Sequence, residues 1–301
     1  MKAIPPPIIY KNISELLRDM DMPKPLHPLV ALVNYDREKG GRNIVGRKFM
    51  IDFYKISFKK DFSGQIKYGQ GYYDFEEGGM AFLAPNQLVT MSGDESCLDG
   101  YILFFHADLI RNYPLGKNIQ QYGFFSYGVN EALFLSDKEK KVITGLFENI
   151  ADELDNNTDV FSQDVLVSQI ELLLNYSNRF YNRQFLTRKA IHNDLISQMD
   201  TYLASRFADQ SGGIPTVPEV AKHLNVSPRY LTDMLKTLTG QSAQQHIHDR
   251  LIEKAKETLS TTRLTVAEIA YQLGFEHPQS FNKLFKRQTN LSPNAFRKSF
   301  N

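Results

Sequence analysis

The stretch that decides the fold is TVPEVA at residues 216–221, which recurs as TVAEIA at residues 265–270. Each copy places a Thr three residues before a Glu, which is the arrangement of a capping box at the start of a helix. Asn225 and Gly274 follow at the same offset of 49, where a tight turn needs a residue that tolerates positive φ. The sequence therefore predicts two copies of a helix-turn-helix unit, over residues 216–239 and 265–289.

The second helix of each copy has one apolar and one polar face, and the pattern predicts these helices at residues 228–238 and 278–289. The apolar positions are expected to be buried: Leu231, Met234, Leu235 and Leu238 in the first copy, and Phe281, Leu284 and Phe285 in the second. The polar positions and their neighbours are the candidate DNA-binding residues: Ser227, Arg229, Tyr230, Thr232, Asp233, Lys236, His277, Gln279, Ser280, Asn282, Lys283, Lys286 and Arg287.

These polar side chains suit the major groove of DNA. Arg and Lys bind the acceptors of guanine, and Asn and Gln can pair with adenine through two hydrogen bonds. A solvated helix face is the alternative, but the recurrence of the stripe at one repeat distance favours the groove. Asp233 has the wrong sign for phosphates, so we expect it to orient Arg229 four residues earlier or to accept from a cytosine amino group.

A long helix over residues 242–259 is predicted to join the two copies. At ~1.5 Å per residue it would span roughly 25 Å, which can hold two recognition helices near one DNA turn of ~34 Å apart. Its Arg250, Lys254 and Lys256 are candidates for phosphate contacts, which fix register without reading sequence.

The charge of the chain is unevenly distributed, although its net value is only +1. Residues 187–301 hold 15 Lys and Arg against 10 Asp and Glu, a net +5, whereas residues 1–186 hold 20 against 24, a net −4. A basic C-terminal region is typical of a protein that binds a polyanion, and scattered charge on two ordinary domains is the alternative.

The cysteine count and the apolar pattern predict a cytoplasmic protein. The single cysteine, Cys97, excludes an intramolecular disulfide, which fits a reducing compartment. The N-terminus has no signal-peptide pattern, and no apolar stretch approaches the ~20 residues of a membrane span. We therefore expect no membrane association.

The front of the chain has the pattern of a β-domain. Residues 1–28 are Pro-rich and predict an arm on or beside a domain, with one short helix that begins at Asn12 or Ser14. Short runs rich in aromatic and β-branched residues, separated by turn residues, predict a sandwich or barrel. The predicted strands are residues 29–33, 49–58, 65–75, 80–84, 87–91 and 100–105.

A helical segment follows at residues 136–186. Ser136 and Glu139 form a capping box, and helical spacing of apolar residues continues beyond it. The predicted helices are residues 137–155 and 160–181. Because the Leu triplet at 172–174 makes the second helix apolar on more than one side, we favour a homodimer interface over helices that only cover the barrel.

Over residues 190–300 the sequence resembles the AraC/XylS family of bacterial transcription regulators. The residues that carry the resemblance are Thr239-Gly240, Ile269-Ala270, Leu273-Gly274-Phe275, Ser280-Phe281, Phe285-Lys286 and Ser292-Pro293-Asn294-Ala295-Phe296-Arg297. The resemblance implies an α+β protein with a cupin-like, effector-binding β-barrel at residues 29–135, a dimerisation segment at 136–186 and an all-α DNA-binding domain at 187–301. It also implies an effector-responsive activator that binds double-stranded promoter DNA, RNA polymerase and a small molecule.

The sequence does not identify an effector or a cofactor. Metal-binding cupins place several His and one Glu on facing strands, whereas this front half has only His27 and His106, so we expect no metal and no enzyme activity. His106 is interpreted as a structural residue at a strand end. An effector pocket would draw on the aromatic residues of the strands: Tyr54, Phe58, Tyr68, Tyr72, Phe82 and Phe104.

Two other functions are alternatives to a transcription regulator. The first is a barrel-domain binding protein or cupin enzyme with an accessory DNA-binding tail. Against catalysis, Cys97 lies in an acidic loop that does not favour a low thiol pKa, and no Gly-rich loop is placed to bind phosphate. The second is an architectural DNA protein, which would not need a front half of ~180 residues.

Overall fold

The chain folds into two compact units, Met1–Gln184 and Phe185–Asn301. The boundary between them falls near the end of one long helix, Ser162–Thr187. The computed structural model describes residues 7–34, 47–60, 65–68, 71–74, 78–90, 100–156, 159–208 and 213–299. None of the helices in these ranges is long and apolar enough to cross a membrane.

The described strands of the first unit form a five-stranded, a three-stranded and a two-stranded sheet, with orders β10-β7-β4-β9-β2, β1-β3-β8 and β5-β6. All paired neighbours are antiparallel except β1 and β3, which are parallel. The strands are β1 Ile8–Tyr10, β2 Val30–Asn34, β3 Lys48–Ile51, β4 Tyr54–Lys59, β5 Gln65–Tyr68, β6 Gly71–Asp74, β7 Gly79–Leu83, β8 Leu88–Thr90, β9 Gly100–Phe105 and β10 Leu133–Phe134.

The predicted strand at residues 49–58 is two strands, because the chain leaves one sheet and enters another. β3 pairs within the three-stranded sheet and β4 within the five-stranded sheet. At the bend between them the Asp52 amide donates to the Tyr10 carbonyl at 3.0 Å, and Phe53 is fully buried. The predicted strand at residues 65–75 is likewise a hairpin of β5 and β6.

The described part of the Pro-rich segment belongs to the core, which differs from the expected arm. β1 pairs with β3, and helix α1, Ile13–Asp19, begins with a hydrogen bond from the Glu15 amide to Asn12 Oδ1 at 2.9 Å. The apolar side chains of this segment pack into one buried cluster with residues from both larger sheets: Tyr10, Ile13, Leu16, Leu17 and Met20. Burial of these apolar side chains away from water stabilises the packing of the segment against the sheets.

The two larger sheets share this buried cluster. Phe49 and Val89 enter it from the three-stranded sheet, and Ile102 and Phe104 enter it from the five-stranded sheet. Within the described strands the sheets stay separate and do not close into a barrel. The structure therefore supports a mixed α and β unit, while the cupin-like closure expected from the family resemblance is not confirmed.

Helices follow the sheets of the first unit: α2 Ala107–Ile110, α3 Pro114–Asn118, α4 Asp137–Asp155 and α5 Ser162–Thr187. The capping box predicted at Ser136 and Glu139 is confirmed by both of its hydrogen bonds. His106 is structural, since its Nδ1 accepts from the Asp108 amide and caps α2. Helix α5 ends six residues later than predicted because Gln184 is buried and its side chain bonds to backbone at Phe134 and Ala132.

The second unit is helical and contains the predicted repeat. Its helices are α6 Lys189–Ala208, α7 Val217–His223, α8 Pro228–Thr239, α9 Ala243–Thr261, α10 Val266–Gln272, α11 Pro278–Thr289 and α12 Pro293–Lys298. Thr216 and Thr265 each begin a helix with a complete capping box. Asn225 and Gly274 have φ of 57° and 86°, so both turns have the left-handed residue that the sequence predicts.

Candidate nucleic-acid interface

The two second helices of the repeat, α8 and α11, end in the same way. Gly240 and Asn290 terminate them in the left-handed conformation with φ of 78° and 59°. Just before each terminus the hydroxyl of Thr239 or Thr289 donates to a backbone carbonyl four residues earlier at 2.8 Å. Both helices begin at a Pro and are 12 residues long, although Ser227 caps α8 through its side chain and His277 does not cap α11 in this way. Residues at equivalent positions therefore lie on equivalent faces of the two helices.

The apolar faces of α8 and α11 are buried as predicted, with one partial exception. Leu238 is only half-buried, because it lies at the end of α8. The other predicted core positions are buried: Leu231, Met234 and Leu235 in α8, and Phe281, Leu284 and Phe285 in α11. Burial of one face leaves the opposite face of each helix at the surface.

The outward stripe of α8 contains the ion pair that the sequence predicts. Arg229 Nε donates to Asp233 Oδ2 at 2.8 Å, one turn apart, and the two side chains are 44% and 21% exposed. Thr232 lies between them with its hydroxyl donated to the Pro228 carbonyl at 3.0 Å. Lys236 continues the stripe at the surface. The pair orients the guanidinium of Arg229 on the outward face of α8.

Two of the predicted contact residues have other roles at the start of α8. Ser227 caps the helix, since its Oγ accepts from the Tyr230 amide at 3.2 Å. Tyr230 is only 8% exposed, with its ring against Phe185 and its hydroxyl 3.2 Å from His192 Nε2. We therefore remove Tyr230 from the interface. One signal in the sequence sets this position apart: the repeat matches Tyr230 with a small polar residue, Ser280, in the second copy.

The outward stripe of α11 is more exposed and more basic than that of α8. Its predicted contact residues all lie at the surface: His277, Gln279, Ser280, Asn282, Lys283, Lys286 and Arg287. Within the described part of the chain, no carboxylate lies within ion-pair distance of its three cations. The positive charge of this stripe is therefore uncompensated by the residues that the structure describes, and it suits a polyanion.

Four aromatic rings pack in a row on the buried side of α11 and form an aromatic ladder: Phe275, Phe281, Phe285 and Phe296. The ring centroids of Phe275 and Phe281 are 5.4 Å apart, those of Phe281 and Phe285 are 5.6 Å apart, and those of Phe285 and Phe296 are 5.5 Å apart. Edge-to-face and tilted contacts at this spacing are favourable. The ladder fixes α11 between the preceding turn and helix α12.

The cations of the joining helix α9 are all paired, in contrast to those of α11. Arg250 donates to both oxygens of Asp200 on α6, at 2.8 and 2.5 Å. Lys254 and Lys256 pair with Glu257 and Glu253 at 2.9 and 2.7 Å. Because their charge is compensated within the unit, these three residues are not part of the proposed interface.

Among the described residues of the second unit, the carboxyl groups with a shifted pKa are those of the two capping boxes, Glu219 and Glu268. Hydrogen bonds from the backbone and side chain of Thr216 lower the pKa of Glu219, and those of Thr265 lower the pKa of Glu268 in the same way. The ionised carboxylate is the form that accepts these bonds, so it is favoured at the start of each helix. Both capping boxes are therefore complete near neutral pH.

Four of the six aromatic residues expected to line an effector pocket pack against other rings or in the core instead. Phe58 stacks on Phe147, Phe82 packs on Phe124, Phe104 lies in the shared core, and Tyr54 stacks on Phe105. Inward-pointing strand side chains fill the core, and the sequence pattern does not distinguish such residues from the lining of a pocket. The side chains of Tyr68 and Tyr72 lie outside the described residues.

Comparison with known proteins finds relatives among transcription regulators. A helix-turn-helix domain family matches residues 220–299. The HTH-type transcriptional activator RhaS of Salmonella schwarzengrund is 29% identical over 161 residues, which are 53% of this chain and 54% of that protein. The arabinose operon regulatory protein of Escherichia coli K12 is 29% identical over 167 residues, 51% of this chain and 55% of that protein.

Solved structures match a smaller share of the chain. The C-terminal domain of AraT, a response regulator from Geobacillus stearothermophilus, is 32% identical, covers 35% of this chain and 84% of its own, and has a TM-score of 0.32. The DNA-binding domain of AdpA in complex with a target DNA is 23% identical over 36% of this chain and 91% of its own, with a TM-score of 0.31. The chain spans about half the length of the curated relatives that it matches.

Proposed function

Because this chain belongs to the AraC/XylS family of transcription regulators, we propose that it binds promoter DNA through α8 and α11 and activates transcription there. The observation that carries the proposal is the pair of outward stripes on two helices of equal length with matching ends. The name of one relative, a transcriptional activator, supports the sign of regulation. Because activation of transcription acts on RNA polymerase, the polymerase is a second proposed partner.

The chemistry of the stripes supports base readout in the major groove. Arg229 presents a fixed guanidinium, which suits the two acceptors of guanine. Gln279 and Asn282 on α11 present exposed amides, which suit adenine. Lys283 and Lys286 add positive charge beside them, which suits phosphates or guanine. Helix α9 is 19 residues long, about 28 Å at ~1.5 Å per residue, a length that suits two recognition helices near one DNA turn of ~34 Å apart.

In vitro selection from a pool of random DNA duplexes tests this function. We expect the full-length chain to enrich one bipartite sequence. Asn282→Ala should then lose about 1–3 kcal/mol of discrimination at one base pair. The matched control is Asn178→Ala, which removes an exposed amide from α5. A chain that enriches no sequence, or an Asn282→Ala variant that discriminates as well as the control, would refute the proposal.

The outer face of α5 supports the homodimer, which is part of the proposal. Exposed apolar side chains follow one face of this helix, and the partner we propose is the same face of a second copy. Phe161 just before the helix is 66% exposed, and Leu172 within it is 45% exposed. Between them Gln169 Oε1 is buried without a hydrogen-bond partner in the described structure, so a donor from the partner would satisfy it.

Sedimentation equilibrium tests the homodimer. Leu172→Glu should shift the chain to monomer, because two carboxylates would meet in an apolar interface. Asn178→Glu adds the same charge to another face of α5 and should leave the dimer intact. A wild-type chain that is monomeric at micromolar concentration, or equal dissociation of both variants, would refute this interface.

We also propose that the first unit is a cupin-like domain with an effector. Its two larger sheets share one core, which suits that architecture. A concavity of about 390 Å³ lies against strand β2 and is walled by residues 22–26 and by the second half of α4. This volume lies in the range of small-molecule sites. A thermal-shift screen of sugars and aromatic acids tests it: a hit should be lost in Leu32→Trp, which fills the concavity, and a screen without hits would count against an effector.

A further inference from the structure

The two copies of the repeat differ at one position in the first turn of the recognition helices. At the offset of 50, Tyr230 of α8 matches Ser280 of α11. Ser280 is exposed, whereas Tyr230 is 8% exposed. The first copy therefore has a buried aromatic ring directly beside Arg229, at a position where the second copy has a surface hydroxyl.

The ring of Tyr230 is held by two residues from the start of the second unit. The centroid of Phe185 lies 5.2 Å from it in an edge-to-face contact, and that of His192 lies 6.4 Å from it. The hydroxyl of Tyr230 is 3.2 Å from Nε2 of His192, and Nδ1 of His192 is 2.9 Å from the backbone carbonyl of Phe185. His192 and Phe185 are 1% and 2% exposed, so water does not compete for these groups.

The direction of each hydrogen bond follows from the chemistry of the groups. The carbonyl of Phe185 can only accept, so Nδ1 of His192 carries a proton and donates. In a neutral imidazole the other nitrogen then accepts, so the hydroxyl of Tyr230 donates to Nε2. Burial lowers the pKa of His192; the bond with Phe185 raises it, and the charge of Arg188 lowers it. The neutral ring is therefore the favoured form at pH 7.

These two hydrogen bonds connect the end of α5 with the start of α8. The Phe185 carbonyl belongs to the last turn of α5, where helix carbonyls lack partners within the helix. Tyr230 belongs to the first turn of α8, and its neighbour Arg229 begins the outward stripe. Tyr230 and His192 thus connect the end of α5 to the first turn of α8, which contains Arg229.

We propose that His192, acting through Tyr230, is a positioning residue that sets the pose of the first recognition helix and so the base discrimination of Arg229. The inference rests on the proposed DNA-binding function. The second recognition helix is fixed by the Phe281 ladder and carries Ser280 at the matched position, so it does not depend on this link. Loss of the link should weaken discrimination at one half of the DNA site only.

The test measures discrimination separately at the two halves of the selected site. Base pairs whose substitution penalty disappears in Arg229→Ala define the half bound by α8, and those lost in Asn282→Ala define the half bound by α11. Tyr230→Phe removes only the hydroxyl. We expect it to lose discrimination on the order of fivefold at the α8 half, the value of one neutral hydrogen bond, with no change at the α11 half. Tyr271→Phe, which removes an exposed hydroxyl from α10, is the matched control.

Rescue and pH dependence separate positioning from stability. All variants are assayed at a temperature at which circular dichroism shows them to be folded. His192→Gln keeps a donor and an acceptor and should retain discrimination, whereas His192→Leu should lose it as Tyr230→Phe does. Because burial lowers the pKa of His192, protonation that removes its acceptor is expected only below the ordinary His pKa of 6.5. As pH falls through that lower range, wild-type discrimination at the α8 half should fall, and that of His192→Gln should not.

Three outcomes would overturn the inference. Equal losses at both halves would show a general effect on the fold. Unchanged discrimination in His192→Leu, with only a lower melting temperature, would show a structural role alone. A pH profile shared by wild type and His192→Gln would exclude His192 as its source. Failure of the proposed function is separate, because a wild-type chain without sequence preference would show it before any variant is made.

Discussion

Replacement of Asp233 by Ala has two opposite expected effects at the proposed DNA-binding surface. The carboxylate repels phosphates, so its loss should raise affinity for DNA of any sequence. It also holds the Nε of Arg229 at 2.8 Å, so its loss should free the guanidinium and reduce discrimination. The pair is partly exposed, at 44% and 21%, so its own worth in the free protein is only about 0.3–0.5 kcal/mol.

The effect on base discrimination should be larger than that on stability. A guanidinium aligned with guanine is worth about 1–3 kcal/mol of discrimination, and a mobile one keeps only part of this value. We expect Asp233→Ala to bind unrelated DNA several-fold more tightly and to lose part of the penalty for substitution at the base pair contacted by Arg229. Fluorescence anisotropy with matched and mismatched duplexes, at two or more salt concentrations, measures both quantities.

A double-mutant cycle decides between the two roles considered for Asp233. If Asp233 orients Arg229, Asp233→Ala should have no further effect on discrimination once Arg229 is replaced by Ala. If Asp233 instead accepts from a cytosine amino group, it should retain its own effect in that background. Weaker binding of Asp233→Ala to unrelated DNA would refute the electrostatic reasoning altogether.

Three further predictions concern the second unit. Lys286→Gln should lower the slope of log affinity against log salt by about 1, whereas Lys254→Gln on α9, whose charge is already paired, should change it less; titration over a salt series measures this. Phe281→Ala should destabilise the fold by about 3–5 kcal/mol in urea unfolding, because the ring is fully buried in the ladder, and exposed Ser280→Ala should stay within ~0.5 kcal/mol. The lowered pKa of Glu268 means that its capping contribution is present above the ordinary Glu pKa and is lost as pH falls through the lower folded value; Glu268→Gln should flatten this part of the stability profile, and an unchanged profile would contradict it.

Local signals in the sequence account for what could be predicted of the second unit. Capping boxes at Thr216 and Thr265 and left-handed turn residues at Asn225 and Gly274 act within a few residues, so their outcome does not depend on distant contacts. The outward stripes follow from helical periodicity once the helices are placed. The Arg229 pair was predictable for the same reason, because its partner lies one turn away.

Contacts between distant residues account for what could not be predicted. Nothing near residue 52 shows that β3 and β4 join different sheets, since the bend depends on a bond to the Tyr10 carbonyl. Helix α5 extends beyond residue 181 because Gln184 finds backbone partners about 50 residues earlier. Tyr230 lies four residues before the buried Met234, so periodicity allows its burial, but its hydroxyl and its place beside Arg229 favour a surface position. The contacts with Phe185 and His192 that bury it come from residues distant in the sequence.

The differences between the two copies indicate how one repeated unit can hold two distinct helices on DNA. The start of α8 is fixed through Tyr230, and its Arg229 is paired, so its contribution should lie in geometry. The stripe of α11 rests on an apolar ladder and presents Lys283, Lys286 and Arg287 without carboxylate partners among the described residues. Geometry determines discrimination, and uncompensated charge determines affinity and its salt dependence. The shared fold therefore permits the two properties to be altered separately, one in each copy.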